Sequence, residues 1–206
     1  LADLSGLAIN DSTQRHTAQI VFGSNKKPQD QFVYTDLSNM FPGYEYKFGK
    51  STYKGVEVGE GGLVRAKPGM YRNVALLDVA SMHPTSIELL NLFGPYTKNF
   101  SDLKEARLAI KRNDISFAKT LLNGKLEKYL TDGSDLKSLS YALKIVINIV
   151  YGLTSAKFDN PFRDPRNVDN IVAKRGALFM VNLEEFVESK GYTVAHIKTD
   201  SVKIPD

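Results

Sequence analysis

The spacing of apolar and polar positions changes several times along the chain, and each change marks an element. NVALLDV, residues 73–79, is apolar without a break until Asp78, the form of a buried strand that delivers a carboxylate at its C-terminal end. SMHPTSIELLNLFG then predicts a helix with Pro84 in its first turn and Gly94 at its end. SDLKEARLAIKR, residues 101–112, predicts another, with Ser101 as cap, acids early and bases late. A third covers about 114–130. The strongest pattern, SDLKSLSYALKIVINIVYG, starts near Ser134 and stops around Gly152. One more helix runs from near Asn167 to Lys190, with Gly191 as its stop. It leads into AHIKTDSVKI, a hairpin pattern in which Val194, Ile197, Val202 and Ile204 flank a polar bend of Thr199, Asp200 and Ser201. Residues 1–73, rich in Gly, Asn, Ser, Lys and Asp, read as irregular with short strand-like pieces such as TAQIVF. Strands, then helices, then strands give an α+β class.

Composition narrows the chemistry. The 206 residues hold one domain, or one with a subdomain, and 42% hydrophobic content suits a globular core. Lys and Arg total 27 against 23 Asp and Glu, a net charge of +4 that suits a polyanionic partner without requiring one. The absence of cysteine excludes disulfides and thiolate metal sites, and three histidines leave little for a zinc centre, so any metal is a hard, oxygen-bound one. No signal peptide is found, and the densest apolar run, LKIVINIV, is interrupted by Lys144 and Asn148, so the expectation is a cytoplasmic protein with no membrane partner. The start at Leu1 and the stop just past the hairpin suggest an excerpt from a longer protein.

Three groups of residues carry candidate chemistry. Lys137, Tyr141, Lys144, Asn148 and Tyr151 fall on one stripe of the long helix, while Leu139, Leu143, Val146, Ile147, Ile149 and Val150 cover much of the rest. That pattern reads as a largely buried helix with a polar seam for an anion bearing a flat, stackable part, or as an exposed stripe on a surface helix. Asp78 and Asp200 end strand-like segments far apart in the chain; if the strands are neighbours, the two carboxylates repel and hard divalent cations resolve the conflict. Singly, each is an ordinary turn or cap former. GEGGLVRAKPGMY, residues 59–71, offers bare backbone and cations to a sugar-phosphate chain, or is a plain glycine turn.

Taken in order, these stretches resemble the family B DNA polymerases, over roughly residues 55–204. DVASMHPTSI resembles the first palm motif, D-x-x-S-L-Y-P-S-I; KIVINIVYG is similar to the fingers motif K-x-x-x-N-S-x-Y-G; KTDS resembles D-T-D-S; GEGGLV resembles the Y-x-G-G segment that contacts template. The resemblance implies an antiparallel palm sheet with packed helices plus a helical fingers hairpin. It divides the chain into 1–72 leading into the palm, 73–100 palm, 101–154 fingers, and 155–206 palm, ending before a thumb. It implies that Asp78 and Asp200 are catalytic and hold two Mg²⁺, replaceable by Mn²⁺, with the Val79 carbonyl as a further ligand. Lys144 would bind the incoming triphosphate, with Asn148, Tyr151 and Gly152 at the nascent base pair, and Ser81, Met82 and His83 beside the nucleotide. Arg107 and Lys111 match the basic pair of the opposing fingers helix, though Lys104 and Arg112 nearby also fit a solvated basic face. Gly61 and Gly62 would touch DNA.

The expected partners are primer–template DNA, a deoxynucleoside triphosphate and the remainder of the parent polymerase, in a host cytoplasm if the source is viral. The closest likeness is to bacteriophage enzymes, and the short stretches between motifs favour an ordinary primer-extending one. Four departures from the family bear on the chemistry. Lys198 replaces the first acid of D-T-D-S while Asp200 keeps the second, Gly59 stands for the tyrosine of Y-x-G-G, and Ile149 for the fingers serine. His83 replaces the tyrosine that rejects a 2′-hydroxyl, which implies a planar but smaller gate. Lys198 also motivates an alternative, a catalytically inactive nucleic-acid-binding fragment. A two-metal nuclease or phosphatase would have no use for the Lys144, Asn148 and Tyr151 seam.

Overall fold

The computed structural model describes residues 1–23, 27–59, 61–167 and 170–206. Among these the chain forms, in order, helices α1 (Ala2–Ser5), α2 (Thr13–Phe22) and α3 (Leu37–Met40), and strands β1 (Glu45–Lys47), β2 (Lys50–Tyr53), β3 (Val56–Val58), β4 (Val64–Ala66) and β5 (Ala75–Asp78). Helices α4 (Met82–Leu89), α5 (Thr97–Lys111), α6 (Ile115–Thr120), α7 (Leu136–Ser155) and α8 (Ile171–Ser189) follow, and strands β6 (His196–Lys198) and β7 (Ser201–Ile204) close the chain. The class is α+β, as the pattern of elements predicts. Two compact units divide it: Leu1–Val33 with Ile87–Arg166, and Tyr34–Ser86 with Asn167–Asp206. These limits cut the chain at other points than the segments drawn from the motifs.

The first unit is helical and centred on aromatic rings. Phe22, Phe32, Phe93, Phe100 and Phe162 are all buried, with neighbouring centroids 4.8–5.9 Å apart in tilted and edge-on pairs. Phe22 ends α2, whose second half is the segment TAQIVF that was expected to be strand-like. Its β-branched residues favour a strand locally, but Ser12 caps the helix by accepting the Arg15 N–H at 3.2 Å, and His16, Thr17, Ile20 and Val21 form one buried stripe. The helix expected over 114–130 ends at Thr120 and continues as two short 3-10 turns. Leu122 and Asn123 hold φ angles of 51° and 55°, and the Leu122 N–H donates to buried Asp102 at 3.0 Å.

Helices α5 and α7 pack against each other. Asp135 caps α7 by accepting the Ser138 N–H at 3.0 Å, and the helix continues past Gly152 to Ser155. The expectation of a largely buried α7 needs correction. Leu143, Val146, Ile147, Val150 and Leu153 are buried on one side, whereas Lys137, Tyr141, Lys144, Ile145, Asn148 and Gly152 are exposed. By length and composition alone α7 could cross a membrane, but its apolar stripe is taken up by the packing of a helix pair.

In the second unit β1, β2 and β3 form an antiparallel sheet, and a four-stranded antiparallel sheet has the order β4-β6-β7-β5. Helix α8, capped by the Asn170 side chain accepting the Ala173 N–H at 3.3 Å, ties to both. Tyr53 donates to Asn182 at 2.9 Å, Arg65 pairs with buried Glu184 at 2.5 Å, and Lys67 pairs with Glu188 at 2.5 Å. That helix was expected to start near Asn167; residues 168 and 169 lie outside the described ones. Val194, Ile197 and Val202 are buried, as the hairpin pattern predicts. NVALLDV is not a buried strand. β5 is the edge of its sheet, exposed along its whole length, with Leu76 at 58% and Leu77 at 54% exposure. A continuous apolar run is what a strand covered on both faces looks like, and nothing in the run marks an edge.

Candidate functional site

The second unit brings Asp78, the last residue of β5, beside the bend between β6 and β7 that holds Asp200. β5 and β7 pair antiparallel with Asp78 opposite Ser201, and the Val79 N–H donates to the Asp200 carbonyl at 2.8 Å, carrying the ladder one residue beyond both strands. Asp200 occupies the second position of a two-residue bend, Thr199–Asp200, between the paired residues Lys198 and Ser201. Both acids are exposed. Among the described residues no group of three or more His, Asp or Glu side chains is placed to hold a metal by itself. Two carboxylates with open coordination positions nevertheless fit Mg²⁺, which is held through one or two carboxylates plus substrate phosphates rather than in a closed protein cage.

The bend is held from outside the hairpin. Thr199 has φ 54°, a left-handed value that a β-branched residue seldom adopts, and its N–H donates to the Leu63 carbonyl at 2.9 Å. Gly62, with φ 98°, approaches so closely that an added Cβ would lie 3.2 Å from the Thr199 Cγ2. Gly61 has open space around its Cα, and Glu60 lies outside the described residues. Gly62, expected at DNA, thus has an identified task within the chain: it makes room for the bend.

Beyond Asp78, Ser81 also has a positive φ, 53°, and its carbonyl accepts the Thr85 N–H at 2.9 Å inside α4. Met82 is buried against Gly176 of α8, where an added Cβ would meet the Met82 Sδ at 2.7 Å. His83 is half-buried. Burial pushes its imidazole below the ordinary value, and the charge of Asp200 pulls weakly the other way.

The first unit carries a separate feature, an open cleft of about 700 Å³ between α5 and α7. Arg107 and Lys111 line it from α5, and Lys137, Tyr141 and Lys144 from α7. Among the described residues no carboxylate lines it, and four cations share the cavity with one phenol. Of the two neighbours that would make α5 a solvated basic face, Arg112 is exposed, whereas Lys104 is largely buried, tied to Glu88 and 3.3 Å from Glu105. Asn148 and Gly152, farther along α7, are exposed and do not line the cleft, and Tyr151 is half-buried. Nothing lies within 4 Å of a Cβ built on Gly152, so the chain itself makes no close packing there.

Sequence reasoning missed Gly176, Leu63 and the strain at Thr199. A glycine in the middle of the otherwise strong helical pattern AKRGALF was the available signal, because such a residue usually has a packing reason. Nothing local marked Leu63, whose role comes from a backbone carbonyl.

No protein-family model matches the sequence, and no curated protein matches it. A solved structure does match the fold: the family B DNA polymerase from the hyperthermophilic archaeon Pyrobaculum calidifontis, with a TM-score of 0.51 and 16% identity. The match covers 98% of this chain and 28% of that one. At this identity the likeness is one of fold.

Proposed function

We propose that the chain is the palm and fingers region of a template-directed DNA polymerase of family B, of the bacteriophage type. The observation that carries this reading is the placement of Asp78, at the end of β5, beside the bend that holds Asp200, joined by the hydrogen bond from Val79 to the Asp200 carbonyl. The polymerase-like fold supports it, with the rest of the polymerase chain lying outside the matched portion.

In this reading Asp78, Asp200 and the Val79 carbonyl would hold two Mg²⁺ ions, or Mn²⁺. The chemistry these supply is activation of the primer 3′-hydroxyl and neutralisation of the leaving group. Arg107, Lys111 and Lys144 bind the triphosphate through charge-assisted hydrogen bonds. Asn148, Tyr151 and Gly152 face the nascent base pair, Ser81, Met82 and His83 contact the nucleotide, and Gly61 approaches the template. The primer 3′-oxygen bonds to the α-phosphorus, the bond to pyrophosphate breaks, and the hydroxyl proton passes to solvent water. The setting is the cytoplasm of a host cell.

The test is extension of a labelled primer on a template with deoxynucleoside triphosphates, in Mg²⁺ and in Mn²⁺. Extension that disappears in Asp78→Asn and Asp200→Asn supports the proposal. Binding without extension favours the second reading, an inactive nucleic-acid-binding fragment, for which Lys198 at the place of a motif acid is the motivating residue. Shortening of the primer instead would assign the acid pair to a nuclease.

A further inference from the structure

The cleft between α5 and α7 carries one more cation than the triphosphate reading uses. Its walls come from the end of α5, at Arg107 and Lys111, and from the first half of α7, between Leu136 and Lys144. The C-terminal end of α5 thus lies beside the N-terminal end of α7, and the packed pair runs antiparallel. Lys137 and Lys144 are seven residues apart on one face of α7, about 10.5 Å along its axis, with Tyr141 between them. Arg107 and Lys111 are four apart on α5, about 6 Å. Because the helices run in opposite directions, Arg107 lies toward Lys144 and Lys111 toward Lys137. The Arg107 Nε is buried without a hydrogen-bond partner, a donor that an anion in the cleft can satisfy. Asp135, two residues before Lys137, feels its charge but does not line the cleft. Its carboxylate is occupied at the start of α7 by the Ser138 N–H at 3.0 Å and the Ser138 hydroxyl at 2.6 Å.

We infer that Lys137 forms a subsite for a fourth phosphate, so that the cleft accepts nucleoside 5′-tetraphosphates and holds them more tightly than triphosphates. Arg107, Lys111 and Lys144, together with a metal ion, balance the charge of a triphosphate. Lys137 is then a cation beyond the end of the tail, and a tail one phosphate longer extends toward it along α7. Tyr141, between the two lysines and exposed, offers its hydroxyl to the phosphate oxygens on the way. No carboxylate among the described lining residues repels the added charge. In nucleotidyl transfer the primer 3′-oxygen bonds to the α-phosphorus and the bond to the β-phosphate oxygen breaks. Inorganic triphosphate leaves in place of pyrophosphate, and the hydroxyl proton passes to solvent water. The seat of the first three phosphates rests on the polymerase reading, whereas the cation that extends it rests on the helix pair alone.

The experiment is calorimetric titration of the whole chain with deoxyadenosine 5′-triphosphate and 5′-tetraphosphate in Mg²⁺, without primer or template. It is run on the wild type and on Lys137→Ala, Lys137→Arg and Lys144→Ala. The wild type should bind the tetraphosphate about 5–10-fold more tightly, the worth of one charge-assisted contact to an exposed side chain. Lys137→Ala removes that preference and keeps the triphosphate affinity, Lys137→Arg keeps both, and Lys144→Ala weakens both nucleotides alike. Lys137 is exposed, and unchanged melting temperatures check that its variants fold. Equal affinities in the wild type overturn the inference, as does a preference that survives in Lys137→Ala. It is equally overturned if Lys137→Ala loses as much affinity for the triphosphate as for the tetraphosphate. Pyrophosphate that binds alongside the triphosphate, and no longer does so in Lys137→Ala, would give the lysine to a free polyphosphate and overturn the extended tail. Because no primer is present, failure of primer extension with the Lys137-dependent preference intact refutes only the polymerase reading. Extension without any preference refutes only this subsite.

Discussion

Replacing Gly176 by alanine tests whether the contact between α8 and the start of α4 is as tight as the geometry indicates. In an isolated helix the change stabilises by about 1 kcal/mol, since glycine is the poorer helix former. Here the new Cβ would meet Met82 Sδ at 2.7 Å and Cγ at 3.1 Å, with the Ser86 Oγ at 3.9 Å. Both partners are buried, so Met82 must change rotamer inside the core or push α4 away. Overpacking of this kind costs about 1–3 kcal/mol. The net expectation is a loss of about 0–2 kcal/mol. A double-mutant cycle isolates the contact. Met82→Ala alone costs about 2–5 kcal/mol through lost burial and a cavity. In that background the obstruction is gone, and Gly176→Ala regains the helix-propensity gain while filling part of the void. The two changes should therefore couple by about 1–3 kcal/mol. Urea unfolding, followed by circular dichroism and tyrosine emission, measures each corner of the cycle. A Gly176→Ala variant that is stabilised by the same amount in both backgrounds would refute the contact.

Four further outcomes are expected. Asp102→Ala should cost about 2–3 kcal/mol, because the buried carboxylate accepts the Leu122 N–H at 3.0 Å and holds a left-handed turn, while Lys98→Ala costs under about 0.5 kcal/mol because its ion pair is mostly in water; equal losses would contradict this. Lys144→Ala should weaken nucleoside triphosphate binding by about 10–100-fold, the worth of one charge-assisted hydrogen bond, and an unchanged affinity in a nucleotide titration would separate the cleft from the triphosphate. Burial lowers the pKa of His83 in the folded chain, so below about pH 6.5 the unfolded chain takes up a proton first and stability falls with acidification until the folded value is passed. His83→Gln should flatten that part of the stability profile measured without divalent metal, with no effect above pH 7. In primer extension, comparable use of ribo- and deoxyribonucleotides should give way to discrimination in His83→Tyr, and unchanged selectivity would remove His83 from the sugar.

How legible the molecule was from its sequence depended on whether the signal was local. The α+β class, the 20-residue α7 and the hairpin at Asp200 follow from period and capping, because Asp135, Ser138 and the alternation around Ile197 act within a few residues. TAQIVF misled because β-branched residues carry a strand preference that the Ser12 cap and a buried stripe outweigh. The exposure of β5 was illegible for another reason: whether a strand is central or at an edge depends on what pairs beside it, and Leu76 and Leu77 are the same residues in either case. For the two acids, the run ending at Asp78 and the polar bend at Asp200 were legible locally, and the pairing of β5 with β7 sets them side by side. The joining of Arg107 and Lys111 with Lys144 in one cleft needed the packing of two helices that sequence spacing does not specify.

The bend at Asp200 shows where local rules give way to placement. A two-residue hairpin loop favours Asn-Gly or Gly-X, since it needs positive φ at its first position. Here that position is Thr199, at φ 54° and a cost of about 1–3 kcal/mol. A glycine would relieve the strain, but it would also loosen the backbone that aims Asp200. The fold keeps the threonine and supports it from a third segment: Leu63 accepts its N–H at 2.9 Å, and Gly62 yields the space that its Cγ2 occupies. The Asp200 backbone is then fixed on both sides, by Leu63 through its neighbour and by Val79 through its own carbonyl. The strain sits at Thr199, the residue immediately before the acid that the bend places beside Asp78.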